Sequence, residues 1–210
     1  MQTDITRRSF LKQSSLVIAV TAFASPLRLF NASPLKAAAE LPFKPHAFLE
    51  IAADDNITVW VGQTNLGQGT FTGIPMIIAD ELDADWEKVQ VKMAPAGEAF
   101  KDPLWHAQFT GGSTSIRHRW DLLRTVGAAA RQMLVEAAAQ QWGVTAGRFT
   151  TENGQVVHAD GRRLNYGELV GTAQKLPVPE KPPLKDPRDY RIIGTSRARM
   201  DIPDKVMGKT

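Results

Sequence analysis

The sequence predicts an α+β fold, a two-layer sandwich of a mixed sheet and helices. Three observations carry this. Short runs of β-branched and aromatic residues, bounded by Asp, Asn and Gly, read as strands. Longer segments repeat apolar residues at helical spacing. The elements follow one another as β-β-α-β-α-β-β-α, and no internal repeat interrupts them.

Taken in order, residues 31–46 hold Asn, Ser and several prolines and read as a linker. Residues 48–53 form a first strand, Asp54-Asp55-Asn56 a turn, and Ile57–Val61 a second strand, which together make a hairpin. Residues 62–69 are a polar, Gly-rich loop. The helix over Thr70–Leu82 gains an apolar face from Ile74, Ile77, Ile78, Ala79 and Leu82, and places Pro75 in its first turn, where a missing N–H costs little. Residues 86–93 alternate as a strand. The stretch 94–112 is irregular and long, and loops of that length are usually functional. Residues 113–142 are the longest helical segment, Ala-rich in their second half. Strands follow at 149–152 and 155–158, and Asp160-Gly161 turns the chain toward residues 162–164. Residues 166–174 form a short helix. Residues 177–187, rich in Pro and Lys, are an extended linker, and 190–210 show no core pattern of their own.

The chain has 210 residues, 43% hydrophobic and 22% charged, enough for one domain with a core. It has no Cys, which excludes disulfides, Cys-bound zinc or iron–sulfur clusters and a thiol nucleophile. Residues 1–39 hold Arg7, Arg8, Lys12, Arg28 and Lys36 against the single acid Asp4, while the whole chain carries +3. The basic excess therefore belongs to the leader, and the body has no basic stripe for a nucleic-acid backbone. His46, His106, His118 and His158 share no metal-ligand spacing and are expected on the surface or in loops. Asp80, Glu81, Asp83 and Asp85 read as a solvated helix end. Arg117, Arg119 and Arg124 read as surface charge, with Arg117 a candidate for a cofactor phosphate. Trp105 and Phe109 are candidates to wall a pocket.

The leader has its own grammar. Thr6-Arg7-Arg8-Ser9-Phe10-Leu11-Lys12 precedes a mildly apolar run from Ser14 to Ala24, and Ala37-Ala38-Ala39 offers small residues for cleavage. The run is shorter than the roughly 20 residues that span a bilayer. Paired arginines followed by Phe-Leu-Lys match a twin-arginine signal, so residues 1–39 are expected to direct periplasmic export, with membrane association if the leader is retained. That route carries folded proteins and favours those that acquire a cofactor first.

Two loops offer ligand chemistry. Gly62-Gln63-Thr64-Asn65-Leu66-Gly67-Gln68-Gly69-Thr70 joins a strand to a helix. Gly67 and Gly69 let a ligand approach the main chain, and the helix start supplies N–H donors for an anion. Gln68 and Gly69 stand where a phosphate-binding P-loop needs Lys and Ser or Thr. The alternative is a plain strand-to-helix turn. Thr110-Gly111-Gly112-Ser113-Thr114-Ser115 also feeds a helix, with Ser113 or Ser115 as an alternative N-cap.

The segment from Val61 to Leu82 resembles the G-x-x-x-G-Q-G-x-x-T segment of the xanthine dehydrogenase family, and residues 110–115 resemble the small-residue and serine loop downstream in the same half. The match is nearer to the molybdopterin-binding subunit of isoquinoline 1-oxidoreductase-type enzymes. It includes the leader, Leu164-Asn165-Tyr166-Gly167-Glu168-Leu169, Pro183-Leu184-Lys185-Asp186-Pro187 and Asp201-Ile202-Pro203-Asp204-Lys205-Val206-Met207-Gly208-Lys209.

The resemblance implies a molybdenum cofactor, molybdopterin in its cytosine dinucleotide form, whose dithiolene sulfurs hold the metal. It places Gly67, Gln68 and Gly69 near the metal's ligands, with the Gln68 amide as a donor, and has Gly112, Ser113, Thr114 and Ser115 hydrogen-bond the cofactor. It implies hydroxylation of an N-heterocycle or aldehyde with water as the oxygen source. Electrons would leave through Fe–S clusters on a 2Fe-2S partner subunit toward an acceptor such as a cytochrome. Members run to several hundred residues, so residues 40–176 are expected to be the amino-terminal part of a molybdopterin-binding domain. Residues 177–210 are expected to lead toward a module supplied elsewhere, together with the glutamate base. No catalytic carboxylate is assigned to this chain, and alone it is expected to be inactive. A non-enzymatic exported cofactor-handling or scaffold module is the alternative.

Overall fold

The computed structural model describes residues 43–145 and 149–209. The leader lies outside the described residues, as does the rest of the stretch before Phe43. Four strands, β1 (Phe43–His46), β2 (Leu49–Ile51), β3 (Ile57–Val61) and β4 (Val89–Met93), form one sheet in sequence order. β1–β2 and β2–β3 are antiparallel; β3–β4 is parallel, with Ile57 opposite Val89 and Val61 opposite Met93. The expected first strand over 48–53 is shorter, and β1 precedes it where a linker was expected. Phe43 is buried and draws its segment into the sheet. Pro45 is tolerated because β1 is an edge strand, where a missing N–H breaks no central ladder.

Between β3 and β4 runs α1 (Thr70–Leu82), with the predicted bounds. Pro75 is its sixth residue, in the second turn and not the first. The expected strand over 86–93 begins as a 3-10 turn at Trp86–Lys88, because the Asp85 carboxylate accepts the Glu87 N–H at 3.1 Å and caps that turn. Beyond the irregular 94–112 stretch, with its 3-10 turn at Glu98–Phe100, comes α2 (Trp120–Trp142). The helix expected from residue 113 starts seven residues later. Gly112 and Ser113 have φ of +60° and +54°, which no α-helix accommodates, and tight turns occupy 113–119.

A second, antiparallel sheet holds β5 (Phe149–Glu152), β6 (Gln155–His158) and β7 (Arg163–Asn165). The strands of the α+β fold are thus split between two sheets. The β5–β6 turn is Asn153-Gly154, both at positive φ, the pairing a two-residue hairpin favours. α3 (Tyr166–Ala173) follows directly, its start fixed by the Asn165 N–H donating to Glu168 Oε2 at 2.7 Å.

α1 packs on β3, β4 and α2; α2 also meets β1, β5, β6 and α3. Ile74, Ile77, Ile78 and Leu82 are all buried within this chain. The two helices meet closely at Gly127, where a Cβ would lie 2.4 Å from the Ile78 carbonyl oxygen. Alanines 130, 137 and 138 keep the rest of that α2 face thin and are themselves buried.

The acidic end of α1 is not solvated, as its composition had implied. Asp80 and Glu81 are 1% and 0% exposed. Carboxylates survive such burial only when paired and hydrogen-bonded, and the partners come from the supposed linker. Lys185 Nζ reaches Asp80 Oδ1 at 3.2 Å and Asp83 Oδ1 at 2.6 Å. The backbone N–H groups of Arg191, Ile192 and Ile193 donate to Asp80. Glu81 accepts from Arg124 Nε at 2.7 Å and from the Lys185 N–H at 3.0 Å. The expected extended linker over 177–187 gives way to a 3-10 turn at Pro187–Asp189, and residues 183–193 are anchored on α1 and α2. Arg124 is accordingly an internal counter-ion, not surface charge.

Candidate functional site

The parallel pairing of β3 and β4 decides where the two loops lie. Parallel neighbours end at the same edge of the sheet, so residues 62–69 leave β3 beside the point where residues 94–112 leave β4. Ligands of α/β units collect at that carboxyl edge. The loops touch there: the Thr64 N–H donates to Thr110 Oγ1 at 2.8 Å. A groove of about 430 Å³ opens between them, lined among others by Thr64, Leu66, Met93, Phe109 and Thr110. Phe109 meets Trp105 edge-on at 6.0 Å between ring centres; Phe109 lines the groove, and Trp105 is half-exposed beside it.

The first loop is built for close approach to its main chain. Gly67 and Gly69 have φ of +99° and +82°, and a Cβ at either would meet nothing within 4 Å. Their outer face is therefore open, and side chains are disfavoured by backbone strain. Gly69 is the N-cap of α1 and offers no side-chain cap. Just inside the helix, the Thr70 hydroxyl is buried without a partner. An orphaned hydroxyl beside uncapped helix N–H groups is what a polyanionic ligand would complete. Gln68 is exposed; its Nε2 donates to the Thr64 carbonyl at 2.8 Å and its Oε1 accepts the Leu66 N–H, which leaves one amide proton to donate.

In the second loop, Gly112 and Ser113 are exposed and Ser115 is half-buried. Thr114 turns inward at 1% exposure and donates its hydroxyl to the Gly111 carbonyl at 2.9 Å. Its hydroxyl proton is thereby committed to its own loop. Arg117 reaches back to the Gly112 carbonyl at 3.3 Å.

Behind both loops lies a charged node whose members composition alone would put on the surface. Arg119 is 1% exposed and donates to Asp102 Oδ2 and to the Phe100 carbonyl, each at 3.1 Å. With the Gln63 amide turned so that its oxygen faces the guanidinium, that oxygen accepts from both terminal nitrogens, at 3.0 and 2.9 Å. Asp102 is fully buried, takes the N–H groups of Leu104 and Trp105, and lies 3.1 Å from His118 Nδ1. His118 is therefore part of this node and not a surface histidine. Burial pushes the Asp102 carboxyl up, but the bonds from His118, from the two N–H groups and the Arg119 charge outweigh it and hold it down at about 2. Gln63 follows β3, Asp102 follows β4, and Arg119 precedes α2, so one guanidinium ties the roots of both loops together. Spacing gave no sign of this, since Arg119 sits among other arginines in a segment with helical composition.

A family model for a molybdopterin cofactor-binding domain matches residues 12–203. The beta subunit of isoquinoline 1-oxidoreductase from Brevundimonas diminuta is 32% identical over 244 residues, covering 98% of this chain and 31% of that protein. The membrane-bound aldehyde dehydrogenase [pyrroloquinoline-quinone] of Gluconacetobacter polyoxogenes is 35% identical over 217 residues, covering 99% of this chain and 27% of that protein. A nicotinate dehydrogenase subunit from Pseudomonas putida is 31% identical over 163 residues, covering 77% of this chain and 13% of that protein. The chain thus spans about a third or less of the length of the relatives it matches. A family match across most of the chain, an open glycine loop and an uncapped helix start agree: the chain belongs to the molybdopterin cofactor-binding domain family.

Proposed function

We propose that this chain supplies one wall of the cofactor site in a molybdenum hydroxylase that oxidises an N-heterocycle or an aldehyde, with water as the oxygen source. The observation that carries the reading is the joining of the two glycine loops at the carboxyl edge of β3 and β4, with the unpartnered Thr70 hydroxyl beneath them. Gly67 and Gly69 admit the cofactor to the main chain, and the free proton of the Gln68 amide donates toward the metal's ligands. Gly112, Ser113 and Ser115 hold the pterin side, with Thr114 bracing their turn. Bound there, the cofactor supplies two-electron redox chemistry. The chain's residues orient it and place a hydrogen-bond donor where charge develops. The cytosine dinucleotide form, an Fe–S partner subunit, a cytochrome acceptor and a glutamate base supplied by further polypeptide complete the proposal. The relatives named as oxidoreductase or dehydrogenase subunits support an enzyme over a scaffold. The paired Arg7 and Arg8 support export by the twin-arginine route, with Arg7→Lys plus Arg8→Lys retaining the chain in the cytoplasm.

The test is metal and cofactor analysis of the full chain produced with its partner polypeptides, beside Gly67→Val and Gln68→Ala. Gly67→Val should abolish molybdenum retention, and Gln68→Ala should retain metal and lose turnover. A preparation that carries pyrroloquinoline quinone and no molybdenum would overturn the reading.

A further inference from the structure

The segment that contains Arg199 and Asp201 lies against the Gly67-Gln68-Gly69 loop. Asp201 is 7% exposed and accepts four charged or amide donors. Arg199 Nε reaches its Oδ1 at 3.1 Å; Arg199 Nη2, Lys205 Nζ and Asn65 Nδ2 reach its Oδ2 at 2.9, 2.6 and 2.8 Å. The Asn65 side chain is thereby oriented, and its Oδ1 accepts the Gly67 N–H at 3.2 Å. Arg199 completes the circuit, with Nη1 donating to the Gly67 carbonyl at 3.1 Å. One residue further, the Met200 N–H donates to Thr72 Oγ1 at 3.1 Å, on the first turn of α1.

Both backbone polar groups of Gly67 are therefore held, directly or through Asn65, from a segment more than 120 residues away. Glycine left to itself samples a wide range of backbone angles. Here the amide is fixed by Asn65 and the carbonyl by Arg199, while Asp201 holds both of those side chains. The Gln68 side chain, the Gly69 N-cap and the Thr70 hydroxyl keep the outward edge free of this network.

We propose that Arg199 and Asp201 are positioning residues that lock the 64–70 loop in its ligand-receiving conformation, acting through Asn65 and the backbone of Gly67. The proposal rests on the reading of that loop as the cofactor wall. A site pre-set in this way binds without first ordering its own backbone.

The experiment measures amide hydrogen exchange of the full chain together with molybdenum content after production with partner polypeptides. It compares Asp201→Ala, Asp201→Glu, Arg199→Ala and Arg199→Lys with the parent. Asp201→Ala and Arg199→Ala should speed exchange of the 65–69 amides by about tenfold or more. Protection in β3 and α2 should stay unchanged, and molybdenum content should fall several-fold. Asp201→Glu should recover most of both, since it keeps the charge. Arg199→Lys should recover part, since it keeps the ion pair but lacks the fork that also reaches Gly67. Unchanged exchange at 65–69 in both alanine variants would overturn the proposal, as would loss of protection spread evenly over the whole domain. Faster loop exchange with metal content unmoved in these variants and in Gly67→Val would leave the lock standing and sink the cofactor reading of the loop.

Discussion

Thr64 and Thr110 stand 46 positions apart, and the N–H of one is bonded to the hydroxyl oxygen of the other at 2.8 Å. This bond ties the loop after β3 to the loop after β4 at a single point. Its acceptor is a side chain, so it can be removed without touching either backbone.

Thr110→Val does so at nearly constant shape. The net value of such a bond is about 1 kcal/mol, because water replaces the lost acceptor at an exposed N–H. Overall stability should therefore change little, while the loops separate more often. Faster exchange at the Thr64 amide, with a fall of about 0.5 M or less in the urea midpoint, is the expected result.

Gly127→Ala sets two effects against each other. Alanine favours a helix over glycine by about 1 kcal/mol. Its Cβ, however, would lie 2.4 Å from the Ile78 carbonyl oxygen and 2.8 Å from Glu81 Cβ. Backbone cannot step aside as a flexible side chain would, and overpacking costs about 1–3 kcal/mol. The clash should win, and the urea midpoint should fall.

Asp102 gives the fold an acid limit. Its folded-state pKa of about 2 lies below the usual carboxylate value. Its contribution is therefore complete above about pH 4 and is lost as pH falls through about 2. Asp102→Asn should lower stability at neutral pH and flatten the stability profile between those limits. Melting scans from pH 2 to pH 7 on both proteins read the difference directly.

Asp80→Ala should free the carboxyl-terminal segment. It leaves three buried-segment backbone N–H groups without their acceptor and Lys185 with Asp83 as its one carboxylate partner. Breaking one partner of a buried pair costs about 3–5 kcal/mol. Trypsin should then cut at Lys185, Arg188 and Arg191 well before it attacks α2, whereas the parent resists at all three.

Local signals carried the α+β class, the β2–β3 hairpin, the bounds of α1 and the strands β5 and β6, because each is written in neighbouring residues. The hydroxyl and glycine content of both loops was legible for the same reason, and the family match now supports the cofactor class those loops suggested. What stayed hidden was long-range. The burial of Arg119 depends on Gln63 and Asp102, and that of Asp80 on Lys185 and residues 191–193. Composition reads such charges as surface until their partners are placed. The start of α2 is not written locally, because positive φ at Ser113 follows from the turn's packing, not from serine's own preference.

The buried acids of α1 also impose an order on how the chain can close as it is made. Lys185 and Arg191 leave the ribosome 105 and 111 residues after Asp80. Until then Glu81 can pair with Arg124 of α2, but Asp80, on the last turn of α1, has none of the donors that the late segment brings, and taking it out of water alone costs several kcal/mol. That turn must stay wet while β4, α2 and the second sheet are already complete. Closure over Asp80 thus waits for the segment near residue 193, and a nascent chain halted short of Lys185 should leave that carboxylate in water.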